Sequence, residues 1–142
     1  MITVRHLLGR KDPGLFSVAP EDPVLKAIRS MAEHRVGALL VMRGEELAGI
    51  VSERDYARKV VLLGRSSAET PVWQIMSSPV VTVSPDTSVQ QCMTLVTEKR
   101  IRHLPVIEKD RVAGVISIGD LVKSVIEEQQ RTIEHLESYI HG

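Results

Sequence analysis

This 142-residue chain is short of several things, and each scarcity excludes a class of protein. It has one cysteine, so no internal disulfide can form. Without a CxxC or a Cys/His cluster it also has no structural-metal spacing. Aromatic residues make up only 3%: one Phe, one Trp and two Tyr. Net charge is zero, with 18 Lys+Arg set against 18 Asp+Glu along the chain. No bulk field draws a polyanion, and neither nucleic acid nor a membrane surface is an expected partner. No apolar run reaches 18 residues, and Met1 to Gly14 carries charges where a signal peptide would be uninterruptedly apolar. These absences predict a soluble, cytoplasmic chain, complete as it stands. The hydrophobic residues, by contrast, amount to 43%. That suffices for a buried core, in one domain or in two small units sharing one.

The strongest internal signal is a repeat. A shift of 65 positions aligns Leu15–Asp55 with Val80–Asp120 without a gap, with 11 identities in 41 columns. A lead-in, Val4-Arg5-His6-Leu7-Leu8, echoes Val72-Trp73-Gln74-Ile75-Met76 at a shift of 68. Two copies of this length predict a paired domain with pseudo-twofold symmetry rather than a solenoid. In each copy the local signals predict strand, helix, strand, strand, helix. Asp22-Pro23 offers a cap and a first-turn proline, with Val24, Ala27, Ile28 and Met31 then recurring at helical spacing to about His34. Val89, Cys92, Met93 and Val96 form the matching face after Asp86-Thr87. Ala38–Met42 and Leu47–Val51 read as a hairpin across Arg43-Gly44-Glu45-Glu46, and Leu104–Ile107 with Val112–Ser117 as its copy across Lys109-Asp110. Phe16–Val18 and Val81–Val83 are the predicted first strands. A further helix is predicted over Glu53–Leu63, stopped by Gly64 in the left-handed conformation. The expected division is repeat 1 with its lead-in over 1–64, a linker over 65–71, repeat 2 over 72–126 and a helical extension over 127–142.

The tract repeated most closely is Gly49-Ile50-Val51-Ser52-Glu53-Arg54-Asp55 against Gly114-Val115-Ile116-Ser117-Ile118-Gly119-Asp120. A strand ends and a helix begins there, so Ser and Asp stand beside backbone N–H groups that have no intrahelical partner. A hydroxyl and free amides suit a phosphate, and a carboxylate suits a ribose diol. The same pattern is also an ordinary helix cap, and both readings stand at this point. Repeat 2 adds Arg100-Ile101-Arg102-His103-Leu104-Pro105-Val106, where Arg102 and His103 are phosphate donors in reach of a strand mouth or simply solvated residues. Repeat 1 has Gly37-Ala38 in those two columns, and Arg54 is matched by Gly119, so any two sites differ.

A tandem unit closed twice by G-h-x-S-x-x-D, with R-H-L-P-V in the second copy, resembles a pair of cystathionine-β-synthase (CBS) domains, a Bateman module, over the stretch from the lead-in to about residue 126. It is most similar to small stand-alone CBS-pair proteins. The resemblance implies an α+β fold of two β-α-β-β-α repeats packed sheet against sheet, and adenosine nucleotides bound in clefts between the repeats. One pocket would use Ile50, Ser52, Arg54 and Asp55 with Val81, Ile101, Arg102, His103 and Pro105. The other would use Ile116, Ser117 and Asp120 with Phe16, Val36, Gly37 and Ala38. The implied ligand is AMP or a related adenosine compound (ADP, ATP, NAD or S-adenosylmethionine), with no cofactor required. The implied partners are a second copy, as a homodimer, and an unidentified protein that receives the signal. The alternative is an interaction or scaffold protein with vestigial pockets, of the kind that in plant relatives regulates redox partners.

The remaining reactive side chains predict no catalysis. Cys92 lies on an apolar helix face and reads as a packed thiol. His6, His34, His135 and His141 have no ligand spacing and read as surface residues, and no Ser/His/Asp set or phosphate-binding glycine loop is present. Past Val125-Ile126 the chain becomes charged, while Ile126, Ile133 and Ile140, with Leu136 between them, keep one stripe at heptad spacing. The stripe predicts an amphipathic extension that either packs on its own domain or supports dimerisation.

Overall fold

The computed structural model describes residues 2–9 and 15–141; the side chain of His141, read above as a surface residue, falls outside the described side chains. In chain order the elements are α1 (Val4–Leu8), β1 (Ser17–Val18), α2 (Val24–His34), β2 (Ala38–Arg43), β3 (Glu46–Ser52), α3 (Glu53–Tyr56), α4 (Val89–Lys99), β4 (His103–Glu108), β5 (Arg111–Ser117) and α5 (Ile118–His141). The fold is α+β, with a small sheet and helices in each repeat. The chain forms two compact units: residues 14–81 with 109–112, and residues 1–13 with 82–108 and 113–142. They are called here the first-repeat and second-repeat units.

In the first-repeat unit the sheet order is β1-β2-β3, with β1 parallel and β3 antiparallel to β2. The helical spacing of Val24, Ala27 and Met31 places them on one side of α2, where all three are buried. They pack with Val18, Leu39, Val41 and Val51 of the sheet and with Val60, Val72 and Ile75. The α2 start differs from expectation by one position. Pro23 is itself the extended cap residue, because the Asp22 carboxylate is turned back to accept the Ala19 N–H at 2.9 Å. α2 and α4 both end on an arginine in the left-handed region, Arg35 and Arg100, each at φ 54.

Two other expected elements change. The helix predicted over Glu53–Leu63 is α-helical only to Tyr56, and Ala57–Val61 forms a wider π turn, closed by Leu62 N–H to the Ala57 carbonyl at 3.0 Å. Four consecutive apolar residues, Val60 to Leu63, cannot share one helix face. Val60 is buried, whereas Val61, Leu62 and Leu63 are exposed. The predicted strand Val81–Val83 reduces to a single parallel bridge, Val83 to Val106. Val83 N–H donates to the Pro105 carbonyl at 3.0 Å, and Ile107 N–H to the Val83 carbonyl at 2.8 Å. The next rung would need an N–H at residue 105, and proline has none. Repeat 1 has Leu40 in that column, and Leu40 N–H makes the corresponding bond, to the Phe16 carbonyl at 3.2 Å.

The units also cut the chain differently from the repeats. The first lead-in, expected with repeat 1, packs on the body of repeat 2: Val4 N–H donates to the Thr87 carbonyl and Arg5 N–H to that of Pro85, both at 2.9 Å. The second lead-in makes the matching bonds to repeat 1, Val72 N–H to Asp22 at 2.8 Å and Trp73 N–H to Pro20 at 3.0 Å. Segment 65–71 is more than a connector, since the carbonyls of Ser67 and Thr70 accept the Leu25 and Val24 N–H groups at the α2 start. A lead-in is a short helical turn without a core of its own, and it gains burial wherever an open edge is within reach.

Candidate functional site: two Ser-Asp turns

Both repeats of the Ser-x-x-Asp tract build the same turn. At the β3–α3 junction the Ser52 N–H and hydroxyl donate to Asp55 Oδ2 at 2.9 and 3.0 Å, and Asp55 N–H donates back to Ser52 Oγ at 3.2 Å. At the β5–α5 junction Ser117 and Asp120 repeat this at 2.8, 2.9 and 3.2 Å. This is a reciprocal helix-capping arrangement. It aims the hydroxyl and the carboxylate together at the end of the strand, and all four side chains are half-buried.

The glycine that opens each motif has a packing reason. A Cβ on Gly49 would lie 2.6 Å from Met76 Sδ and 2.9 Å from the Ser77 carbonyl oxygen, and one on Gly114 would lie 2.5 Å from Leu8 Cδ2. In each unit the lead-in crosses the last strand where its side chain is missing. The motif residues are also tied to the strand mouth of their own repeat. Glu53 N–H donates to the Gly37 carbonyl at 3.1 Å, and Ile118 N–H to the Arg102 carbonyl at 2.8 Å. Ala38 pairs directly with Ser52 in the β2–β3 ladder. Thus Gly37 and Ala38 are neighbours of Ser52 and Asp55, and Arg102 is joined to the Ser117–Asp120 turn.

The other expected residues fall into three groups. Arg54 and Arg102 are exposed, and His103, Ile50, Val36, Val81 and Ile101 are half-buried. Phe16 is half-buried with its ring stacked on His34, centroids 3.8 Å apart and planes at 10°, so this ring face is already covered by a histidine read as a plain surface residue. Pro105 and Ile116 are buried. Ile116 has no exposed side-chain surface and stands in the column of the core residue Val51. The counterpart of Ile50 is Val115, which is half-buried.

One residue near the first motif escaped the sequence reading. Lys59 Nζ lies 3.5 Å from Asp55 Oδ1 and donates to the Ile75 carbonyl at 3.0 Å. The signal was the i,i+4 spacing of Asp55 and Lys59. The corresponding column of repeat 2 holds Ser124, which is buried. The first carboxylate therefore has an ammonium beside its second oxygen. Elsewhere, burial pushes the Cys92 thiol up from its ordinary value, as a packed thiol requires.

Two α+β units, each ending a small sheet in a Ser-Asp turn, define a tandem-repeat module. The chain belongs to the CBS domain family, whose sequence profile matches residues 1–62 and 72–127. It is 46% identical over 127 residues to the mitochondrial CBS domain-containing protein CBSX3 of Arabidopsis thaliana, covering 86% of this chain but only 62% of that protein. It is 31% identical over 105 residues to the CBS domain-containing protein YhcV of Bacillus subtilis, covering 74% of each. Among solved structures, a CBS-domain protein of Burkholderia ambifaria named for signal transduction is 52% identical at a TM-score of 0.86, over 89% of this chain and 96% of that one. The CBS domain protein PAE2072 of Pyrobaculum aerophilum, solved in complex with AMP, is 26% identical at a TM-score of 0.75, over 84% and 89%.

Proposed function

We propose that this chain is a regulatory CBS-pair module that binds an adenosine nucleotide, AMP first among them, and signals its occupancy to a protein partner. The observation that carries the reading is the duplicated Ser-Asp turn, which offers a hydroxyl and a carboxylate in matching geometry in both units. In this reading Asp55 and Asp120 accept the hydroxyls of a ribose, Ser52 and Ser117 steady the carboxylates, and Arg102 and His103 meet a phosphate. The AMP complex of the related PAE2072 supports the choice of ligand. Signalling requires the nucleotide to bind two states of the chain with different affinity. The role is regulatory and needs no turnover. Among the described residues no helix is long and apolar enough to cross a membrane.

Titration calorimetry of nucleotide-stripped protein with AMP, ADP, ATP, NAD and S-adenosylmethionine tests the reading. Heat with at least one of them is expected, strongly reduced by Asp55→Ala or Asp120→Ala with circular dichroism unchanged. No heat with any of the five would overturn it. The exposed Val61, Leu62 and Leu63 favour a second reading, an interaction protein whose pockets are vestigial. In that case both aspartate variants would regulate the partner as the unchanged protein does.

A further inference from the structure

We infer that Lys59 and Asp55 act as a pair that reads both hydroxyls of a ribose at the first Ser-Asp turn, so that Lys59 sets specificity for ribose over deoxyribose. This role rests on the nucleotide reading above and adds a cationic group to it.

The carboxylate is already half committed. Asp55 Oδ2 accepts the Ser52 N–H at 2.9 Å and the Ser52 hydroxyl at 3.0 Å, which fills both of its lone-pair directions. Oδ1 is the oxygen left for a ligand, and Lys59 Nζ lies 3.5 Å from it. The Asp55 side chain is 16% exposed and that of Lys59 43%, so a ligand that reaches the carboxylate meets the ammonium as well.

The ammonium is held in place from two sides. It donates to the Ile75 carbonyl at 3.0 Å, within the second lead-in, and a second hydrogen faces Asp55. Its third hydrogen has no partner among the described residues. The backbone puts it there. Ala57–Val61 is a π turn, in which Leu62 N–H donates to the Ala57 carbonyl and Arg65 N–H to the Val60 carbonyl, both at 3.0 Å. Each bond spans five residues, and this wider turn sets a residue four places on more nearly above the first than an α turn does. Single π turns within helices are frequent at functional sites.

A carboxylate can only accept, and an ammonium can only donate. Of two adjacent ribose hydroxyls, one donates to Asp55 Oδ1 and its neighbour accepts from Lys59 Nζ. A nucleotide that lacks either hydroxyl leaves a partly buried charge without its partner, and bonds to charged groups are the costlier ones to lose.

The test is reductive methylation of the full wild-type chain, read at Lys59 by mass spectrometry, with AMP, 2′-deoxy-AMP and 3′-deoxy-AMP as protecting ligands. AMP should slow methylation of Lys59, with half-protection at a concentration roughly tenfold to a hundredfold below that of either deoxy nucleotide. Lys26, exposed in the same unit, is the unprotected control. Calorimetry in an Asp120→Ala background separates specificity from folding. There Lys59→Met should bring the preference for AMP over one deoxy nucleotide down to about threefold or less and keep the preference over the other. Methylation of Lys59 unchanged at saturating AMP, equal protection by the three nucleotides, or a Lys59→Met chain that binds all three more weakly by the same factor would overturn the inference and leave AMP binding standing. Absence of heat with every adenosine compound would instead remove the nucleotide reading, and this role with it.

Discussion

Adding one methyl group at Gly49 should destabilise the first-repeat unit, whereas the same change at Gly114 should be nearly neutral in the second. At Gly49 the new Cβ meets Met76 Sδ at 2.6 Å, Met76 Cγ at 3.0 Å and the Ser77 carbonyl oxygen at 2.9 Å. Met76 can swing aside, but Ser77 is held to Ile50 by hydrogen bonds in both directions, 2.9 Å from its N–H and 3.1 Å to its carbonyl. Relieving the clash must stretch that bridge. Overpacking of this kind costs about 1–3 kcal/mol. The alanine returns about 0.4–1 kcal/mol by restricting the unfolded chain, which leaves a net loss of roughly 1–2 kcal/mol. At Gly114 the close atom is Leu8 Cδ2 at 2.5 Å, and the next is Leu8 Cγ at 3.8 Å. One rotation of a leucine tip removes that conflict, so the change should stay within about 1 kcal/mol of zero. Urea denaturation measures both. Trp73, the single tryptophan, sits in the lead-in beside Gly49 and reports on the first-repeat unit, and far-UV circular dichroism follows both units. A fall in Tm of about 3–8 °C is expected for Gly49→Ala. The reasoning is refuted if Gly49→Ala is neutral or Gly114→Ala costs as much.

Three further perturbations probe other parts of the fold. Ser52→Ala and Ser88→Ala each remove a reciprocal helix cap and should each cost about 1 kcal/mol in urea; only Ser52→Ala should also weaken nucleotide binding, and equal effects on binding would count against a ligand role for Ser52. Met31→Ala empties a fully buried site between α2 and the sheet and should cost about 2–5 kcal/mol; a loss below about 1 kcal/mol would show that the site collapses freely. Because burial raises the folded thiol of Cys92 above its unfolded value, its contribution to stability is complete below about pH 8.5 and is lost as pH rises through the folded value. Thiol labelling at pH 8 should be slow in buffer and fast in urea, and rapid labelling of the folded protein would contradict the packing.

Local structure was legible wherever neighbouring residues decide it. The α2 and α4 faces, the two hairpins, the Gly64 stop at φ 67 and the duplicated Ser-Asp turn all follow from short-range periodicity, turn chemistry and capping. Errors arose where a competing hydrogen bond, or the lack of one, decides. Asp22 gave its carboxylate to Ala19, so the cap shifted to Pro23. The loss of the Val81–Val83 strand was foreseeable only with the parallel register in hand, because Pro105 matters for the one N–H it lacks.

The sequence by itself determined that this is a duplicated unit of about 65 residues, that each copy ends a strand in Ser-x-x-Asp, and that the two copies differ in charge around that motif. Those properties are written in periodicity and identity, which need no third dimension. Only the tertiary structure decided which body each lead-in completes. Its backbone hydrogen bonds go to the other repeat, and five residues of helix carry no preference that sequence could reveal. It also explained the motif glycines, which lie under Met76 and Leu8, where an added Cβ would stand 2.6 and 2.5 Å from those side chains. Close approach between segments remote in sequence leaves no local signature, so it becomes visible only once the chain has folded.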